Sequence, residues 1–295
     1  MSDSPTPVPG MFTLVLHTHL PWLAHHGRWP VGEEWLYQSW ATAYLPLTRV
    51  LRELAEEGRG HLLTLGMTPV VTAQLDDPYC LQGMAQWLSN WQLRALEATT
   101  IRSGGGAAET FNSPEALRTF GFDEHRRAGA AIEEFNSHWQ HGGSPVLRQL
   151  IDAETIELLG GPLAHPFQPL LNPRLREFAL REGLSDAQQR FGHTPGGIWA
   201  PECAYSPGME TGYAAAGVTH FMVDGPTLHG ALRAPGSYTL PAGTTLTLAP
   251  GAQTPVVDGA PPTGAEWIGS GGGLGGNHPL YQVFSIMVAT FLGAM

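Results

Sequence analysis

Two histidines stand two residues apart in the apolar segment FTLVLHTHL, residues 12–20. Such a short apolar run with β-preferring residues predicts a buried strand. Since side chains alternate along a strand, His17 and His19 should lie on one face, near the strand's C-terminal end. Packing alone does not explain two imidazoles on an apolar strand, so this strand end is a candidate for hydrogen bonding to a ligand or for metal binding.

Three further polar residues follow other apolar segments. His165 lies in GGPLAHPFQPLL, Glu202 follows IWA, and Asp224 ends FMVD. Glutamate is rarely buried without a partner, so Glu202 either ends a strand without further role or has a catalytic or binding role. Each residue alone is typical of an ordinary loop, but their coincidence at several strand ends favours a functional site.

Two chemistries fit these residues. His17, His19 and His165 with a carboxylate could hold Zn²⁺ with one position open for water, as in a metal-dependent hydrolase or deacetylase. Glycosidic bond cleavage instead uses carboxylates with aromatic faces for sugar rings, and Trp22 and Trp199 lie near the relevant segments. The residue types leave both chemistries open.

The elements that position these residues alternate between strand and helix. Strands are predicted at residues 12–20, at 61–75 (running into a loop or short helix), and at 156–159, 198–200 and 219–225. Helices are predicted at residues 33–57 (bent or divided at Pro46), 78–96, 114–139 and 174–191. This alternation is typical of an α/β protein with a parallel sheet, open or closed into a barrel, whose ligands bind at the C-terminal strand ends.

Bulk composition excludes some classes of function. The net charge is -11 and every basic residue is an arginine, which argues against a nucleic-acid-binding surface. Cys80 and Cys203 are far apart and fit neither a disulfide framework nor a four-cysteine zinc site, so we expect a reducing, cytoplasmic location. The apolar run 280–295 is shorter than the roughly 20 residues of a membrane span. Nothing in the sequence indicates an oligomeric state.

Composition also divides the chain into three parts. Residues 1–10 are polar and proline-rich, so we expect a disordered tail. Residues 11–228 hold the alternating strands and helices. After about Pro226, Gly, Pro, Thr and Ala dominate, and residues 229–295 are predicted to be an irregular, low-complexity tail without a further strand and helix pair.

Six segments together resemble glycoside hydrolase family 57, in particular the N-terminal part of its 1,4-α-glucan branching enzymes. They are, in order, LVLHTHLPW, GEEWLYQSWATAYLPL, LTLGMTPVVTAQL, ELLGGPLAHPFQPLL, GIWAPECAY and FMVD. The resemblance covers about residues 11–224. It implies an incomplete (β/α)7 barrel that acts on α-1,4-glucan with retention of configuration, without a metal or an organic cofactor.

The resemblance also implies roles for the site residues. Glu202 matches the family's nucleophile, which forms a covalent glycosyl-enzyme that is passed to a sugar 6-hydroxyl or to water. Further substrate contacts are expected at His17, His19, His165, Trp22, Trp199 and Asp224, the last in a supporting role.

After Asp224 the sequence departs from the family pattern. The family's acid/base is an aspartate in a later motif, followed by a helical C-terminal domain. The acidic residues after Asp224 are Asp258 and Glu266, and neither lies in a segment resembling that motif. We therefore expect a truncated or frame-shifted chain without turnover, which makes a non-catalytic glucan-binding protein a third hypothesis.

Overall fold

The computed structural model describes residues 13–27, 32–100, 114–206, 208–224, 236–239, 245–248 and 266–270, with the backbone alone for residues 114, 223, 224 and the last three ranges. The predicted N-terminal tail lies outside the described residues. The chain packs as two compact units. We call Met1–His19, His61–Pro69 and Ile156–Met295 the sheet unit, and Leu20–Gly60 and Val70–Thr155 the helix unit.

The sheet unit contains a parallel sheet of six strands. In chain order, the described strands of this unit are β1 (Val15–Thr18), β2 (Leu63–Met67), β3 (Ile156–Gly160), β4 (Gly197–Trp199), β5 (His220–Asp224), β6 (Gly236–Thr239), β7 (Thr245–Leu248) and β8 (Glu266–Ser270). The order in the sheet is β1-β2-β3-β4-β5-β8, and each neighbouring pair is parallel. From β1 to β5, strands that are consecutive in sequence are adjacent in the sheet, and β8 lies beside β5. This is the connectivity of a partial (β/α) barrel, as predicted.

The strands form where the sequence is apolar on both faces. All five residues of β2 are buried, and so are all three of β4. Parallel strands that are covered on both faces have continuous apolar runs in sequence rather than an alternating pattern. These segments are such continuous runs.

The described helices are α1 (Glu33–Ser39), α2 (Leu45–Glu56), α3 (Pro69–Asp76), α4 (Pro78–Thr99), α5 (Pro114–Glu134), α6 (Gly143–Asp152), α7 (Pro173–Phe191) and α8 (Met209–Ala215). The predicted helices lie close to these bounds, whereas α6 and α8 were not predicted. Helix α7 begins at an Asn172 side chain that accepts a hydrogen bond from the Leu175 N–H at 2.9 Å, and it ends at Gly192 with φ 75°. These are the preferred cap residues of a helix start and stop.

The predicted break near Pro46 is a π-helical segment. Trp40–Tyr44 separates α1 from α2, and Pro46, which has no N–H to donate, occupies the second position of α2 directly after it. A second π segment, Phe135–Trp139, follows α5. The two segments meet in the core of the helix unit, where the fully buried rings of Trp40 and Trp139 lie edge to face at 5.5 Å.

Beyond residue 226, where no further strand and helix pair was predicted, the described residues form three strands. Strands β6 and β7 form an antiparallel pair, and β8 pairs with β5 so that Ser270 lies opposite Asp224. Each of these strands has four or five residues in a segment rich in Gly, Thr and Pro. Such short strands are defined by the neighbour they pair with, which local sequence does not reveal.

Helix α7 packs directly on the loop after β3. A Cβ atom added at Gly183 would overlap the carbonyl oxygen of Gly161 and lie 2.8 Å from the amide nitrogen of Leu163. That same Leu163 N–H donates to the carbonyl of Ala179 at 2.8 Å. The helix backbone therefore fixes the loop that leads to His165.

We predict that Gly183→Ala lowers the free energy of unfolding by about 1–3 kcal/mol, because the added methyl group must displace backbone atoms. Urea denaturation measures the change. The control is Gly212→Ala in α8, where a Cβ atom has no described neighbour within 4 Å. This control should be neutral or should stabilise the protein by up to about 1 kcal/mol, since alanine favours helix. Equal effects of the two substitutions would contradict the close contact.

Candidate active site

The candidate site begins at the end of β1. His17 pairs in register with Gly66 of β2, and a Cβ atom on Gly66 would lie only 2.9 Å from His17 Nδ1. Glycine at this position therefore makes room for the imidazole. The hydroxyl of Thr18 donates to the Gly66 carbonyl at 3.0 Å and fixes the strand end, so that His19 follows directly after β1.

His17, His19, His165 and Trp199 form one stack of rings. The His17 ring lies on Trp199 with centroids 4.2 Å apart and 7° between the ring planes. The His165 ring contacts His17 at 5.2 Å and His19 at 3.8 Å, again nearly parallel. We call these four residues the aromatic stack.

The aromatic stack shows that the sheet is strongly curved. His17 belongs to β1 and Trp199 to β4, and two strands lie between them in the sheet. In a flat sheet, strands three positions apart would be separated by about 14 Å. Their rings are in van der Waals contact. The concave face of a barrel wall brings such side chains together.

Glu202 projects from the end of β4. It lies in the turn Pro201–Cys203 with φ 56° and ψ 24°, and the next residue, Cys203, also has a left-handed φ of 54°. Residues other than glycine adopt this region rarely and at a cost of about 1–3 kcal/mol. The Glu202 side chain is 66% exposed, and its Oε1 lies 3.9 Å from Nε2 of His165. The turn thus holds a solvent-accessible carboxylate against the aromatic stack.

Burial favours the neutral form of the three histidines. It lowers the pKa of His165 to about 3, with a further contribution from His19. The pKa of His17 is lowered well below its usual value, first by burial and then by His165 and His19. Burial also lowers the pKa of His19, although Glu202 opposes the shift. Neutral imidazoles carry one donor and one acceptor each, which suits the hydroxyl groups of a ligand.

Several ring nitrogens have no hydrogen-bond partner among the described residues. They are both nitrogens of His17 and the Nδ1 atoms of His19 and His165, all buried. Buried polar atoms are normally paired, and exceptions are concentrated at functional sites. Their burial without a partner makes the aromatic stack a candidate site for a ligand.

The geometry does not fit the zinc alternative. Among the described side chains, no group of three or more His, Cys, Asp or Glu residues is placed to hold a metal ion. The nitrogen lone pairs of an imidazole lie in its ring plane. A zinc ion about 2.0–2.1 Å from each nitrogen would need those planes to meet, whereas the planes of His19 and His165 are nearly parallel and their centroids are 3.8 Å apart.

The remaining predicted site residues are placed differently. Trp199 is 5% exposed and packs with Val15 and Met222 in a core cluster, so it supports His17 and offers little ring surface to a sugar. Trp22 is 45% exposed and belongs to the helix unit. Asp224 ends β5, the strand next to β4, as predicted, but its side chain lies outside the described residues.

Sequence reasoning missed two residues near the candidate site, Gly66 and Gln168. Glycine inside the strand LTLGM is the signal that could have identified Gly66, since it marks a close approach. Gln168, fully buried and three residues after His165, accepts a hydrogen bond from the hydroxyl of Tyr213. No local pattern relates these two residues, which are 45 positions apart.

Comparison with known proteins assigns the family. The sequence model of glycosyl hydrolase family 57 matches residues 13–248, most of the chain. The chain belongs to glycosyl hydrolase family 57. This confirms the resemblance carried by the six sequence segments.

Several proteins similar to this chain are named branching enzymes. The chain is 70% identical over 233 residues to a probable 1,4-α-glucan branching enzyme of Mycobacterium tuberculosis, a match that covers 78% of this chain and 44% of that protein. It is 30% identical over 211 residues to a 1,4-α-glucan branching enzyme of Thermococcus kodakarensis, a match that covers 68% of this chain and 28% of that protein. The GH57-type branching enzyme of Pyrococcus horikoshii matches in structure with a TM-score of 0.66 and 29% identity, over 81% of this chain and 46% of that one. The chain therefore spans less than half the length of these relatives.

Family membership and the parallel sheet support a partial (β/α)7 barrel. The roles of Glu202 and the three histidines stay predictions. Within the part of the chain that the structure describes, no helix is long and apolar enough to cross a membrane.

The buried histidines predict a pH-dependent stability. The folded pKa values of His17 and His165 lie below the unfolded value of about 6.5, so the unfolded chain binds more protons as the pH falls. Stability is therefore lost below about pH 6.5, by about 1.4 kcal/mol per strongly shifted histidine between pH 7.5 and pH 5.5. Urea denaturation at these two pH values measures the loss.

A variant and a control assign this loss to the stack. The variant is His165→Asn, because asparagine tolerates the left-handed φ of 49°. It should reduce the loss of unfolding free energy between pH 7.5 and pH 5.5 by about 1.4 kcal/mol, the contribution of one histidine. The control His26→Gln changes an exposed histidine and should leave the dependence as in the wild type. A wild-type pH dependence in His165→Asn would show that the stack is not buried as described.

Proposed function

We propose that this family 57 chain acts on α-1,4-glucans and that Glu202 is the nucleophile of a retaining reaction. The observation that carries the proposal is the exposed Glu202 carboxylate, held in a left-handed turn at the end of β4 and 3.9 Å from the buried ring of His165. The similarity to proteins named 1,4-α-glucan branching enzymes supports the class of substrate.

The proposed reaction has two steps. A carboxylate oxygen of Glu202 attacks the anomeric carbon, the bond from that carbon to the leaving glucan oxygen breaks as that oxygen takes up a proton, and a covalent glycosyl-enzyme forms. A 6-hydroxyl of another glucan chain, or water, then loses its proton as it attacks the same carbon and releases the Glu202 carboxylate. Transfer to the 6-hydroxyl makes a branch, and transfer to water is hydrolysis.

The neutral histidines bind and orient the sugar. Their unpaired ring nitrogens can donate to or accept from its hydroxyl groups, and hydrogen bonds that strengthen at the oxocarbenium-like transition state accelerate the reaction. Nε2 of His165 lies 3.9 Å from Oε1 of Glu202, so we assign His165 the additional role of orienting that carboxylate.

A retaining mechanism also needs a second carboxyl group about 5–5.5 Å from the nucleophile. Glu266 is the first residue of β8 and pairs with His220, the first residue of β5, so its backbone lies at the N-terminal edge of the sheet. Glu202 follows the C-terminal end of β4, which is the opposite edge. Glu266 is thus misplaced for this role, and the proposal names no acid/base residue.

The position of Glu266, at the opposite edge of the sheet from Glu202, favours a second function, which is glucan binding without turnover. Sugar contacts by His17, His19 and His165 do not depend on an acid/base group. The two functions share the substrate and differ in whether the glycosidic bond is cleaved.

The first test is Glu202→Gln, which removes the nucleophile and keeps the shape of the side chain. We expect turnover of amylose, followed by iodine staining and by reducing ends, to fall at least about 10³-fold. The control Glu182→Gln changes a glutamate of α7 whose side chain is 39% exposed, and it should keep wild-type turnover. Wild-type turnover in Glu202→Gln would refute the nucleophile assignment.

A second readout detects the covalent step directly. With a 5-fluoro-α-maltosyl fluoride, attack by Glu202 expels fluoride, and the peptide containing Glu202 should gain the mass of the glycosyl group. If the wild-type protein binds amylose but shows neither turnover nor this label, the binding function is established instead.

A further inference from the structure

A groove in the helix unit has the features of a sugar-binding surface. One cavity of about 490 Å³ is lined by α1 and α4, and its residues are Glu34, Tyr37, Gly83, Trp87, Asn90, Trp91 and Arg94. A second cavity of about 350 Å³ shares Trp91 and is also lined by the start of α2 and by α5. We call the two cavities together the tryptophan groove.

Two tryptophans one helical turn apart form its centre. The indole N–H of Trp87 donates to Glu34 at 2.8 Å, and that of Trp91 donates to Glu124 at 3.0 Å. The carboxylates come from α1 and α5, so each ring edge is fixed by a neighbouring helix. The ring centroids are 5.6 Å apart and the planes are tilted by 45°. Fixed, partly exposed aromatic rings can bind a ligand at little cost in side-chain entropy.

These tryptophans differ from those of the core. Trp40 and Trp139 are fully buried and make the internal contacts of the helix unit. Trp87 and Trp91 keep part of their surface exposed although both line cavities. Internal packing therefore accounts for the first pair and leaves the exposed surface of the second pair unexplained.

The charge of the groove suits a neutral polar ligand. The first cavity is lined by one glutamate and one arginine, Glu34 and Arg94. The charged residues lining the second are Arg49, Arg127, Glu124 and Glu134, again in equal numbers. A site for phosphate or nucleic acid would carry an excess of positive charge.

The length of the groove favours a chain over a small molecule. Its lining residues run from Glu34 to Arg49 along α1, the π segment and α2. At about 1.5 Å per residue this is roughly 20 Å. Exposed Asn90 and Arg94 on the same helix as the tryptophans can bind hydroxyl groups along it.

We propose that the tryptophan groove binds an α-glucan chain as an ancillary site. The choice of α-glucan over other neutral polysaccharides rests on the proposed function. A second contact to the same polymer raises the local concentration of chain segments and strengthens retention of a long glucan without a new catalytic group.

Affinity electrophoresis in gels containing glycogen tests the proposal. Two variants are tested separately, Trp91→Ala and the double substitution Asn90→Ala with Arg94→Ala. Each should be retarded less, with an apparent dissociation constant for glycogen about 5- to 10-fold higher than that of the wild type. The matched control is Phe122→Ala, which removes an exposed aromatic residue of α5 that does not line the groove and should migrate as wild type. Thermal unfolding checks that each variant is folded.

The outcomes separate the groove from the catalytic proposal. Wild-type protein that is not retarded by glycogen, or folded groove variants that are retarded like wild type, would overturn the ancillary site whatever the turnover. If Trp91→Ala does not fold, the exposed double variant decides. Conversely, Glu202→Gln with full turnover would refute the nucleophile, while loss of retardation in the groove variants would still support the groove.

Discussion

The contact between His17 and Trp199 is the constraint on which the sheet unit depends. It joins β1 to β4 across two intervening strands, which requires a curved sheet with its concave face filled by side chains. Gly66 leaves space for the imidazole, and the apolar cluster of Val15, Leu159 and Met222 packs around Trp199. The fold and the candidate site therefore share the same side chains.

Burial in this stack determines what the histidines can do. An imidazole removed from water loses the solvation of its charged form, so His17 and His165 stay neutral at pH values where an exposed histidine begins to titrate. A neutral ring both donates and accepts a hydrogen bond. The stack is therefore suited to uncharged, hydroxyl-rich ligands, whereas charged imidazoles would offer donors alone.

Backbone contacts hold both Glu202, which lies in a strained turn, and the loop that carries His165. Two successive left-handed residues are unfavourable by themselves, and the folded structure maintains them through contacts such as the 2.7 Å hydrogen bond from the Cys203 N–H to the Ala200 carbonyl. On the other side, Gly183 lets α7 contact the loop that carries His165. Both partners of the 3.9 Å approach are thus held by backbone contacts.

Local sequence was enough to predict most of the elements and the strand ends of the site. The apolar runs before His17, Glu202 and Asp224 were identified as strands, and Pro46 as a break, because strand and helix periodicity and proline's effects act within a few residues. The six ordered segments also identified the family. The supporting role of Trp199, the contact of Gln168 with Tyr213 and the pairing of β8 with β5 were decided by the tertiary structure. So were the low histidine pKa values and the left-handed turn at Glu202, because burial, ring stacking and strand pairing arise between residues that the chain brings together only when it folds.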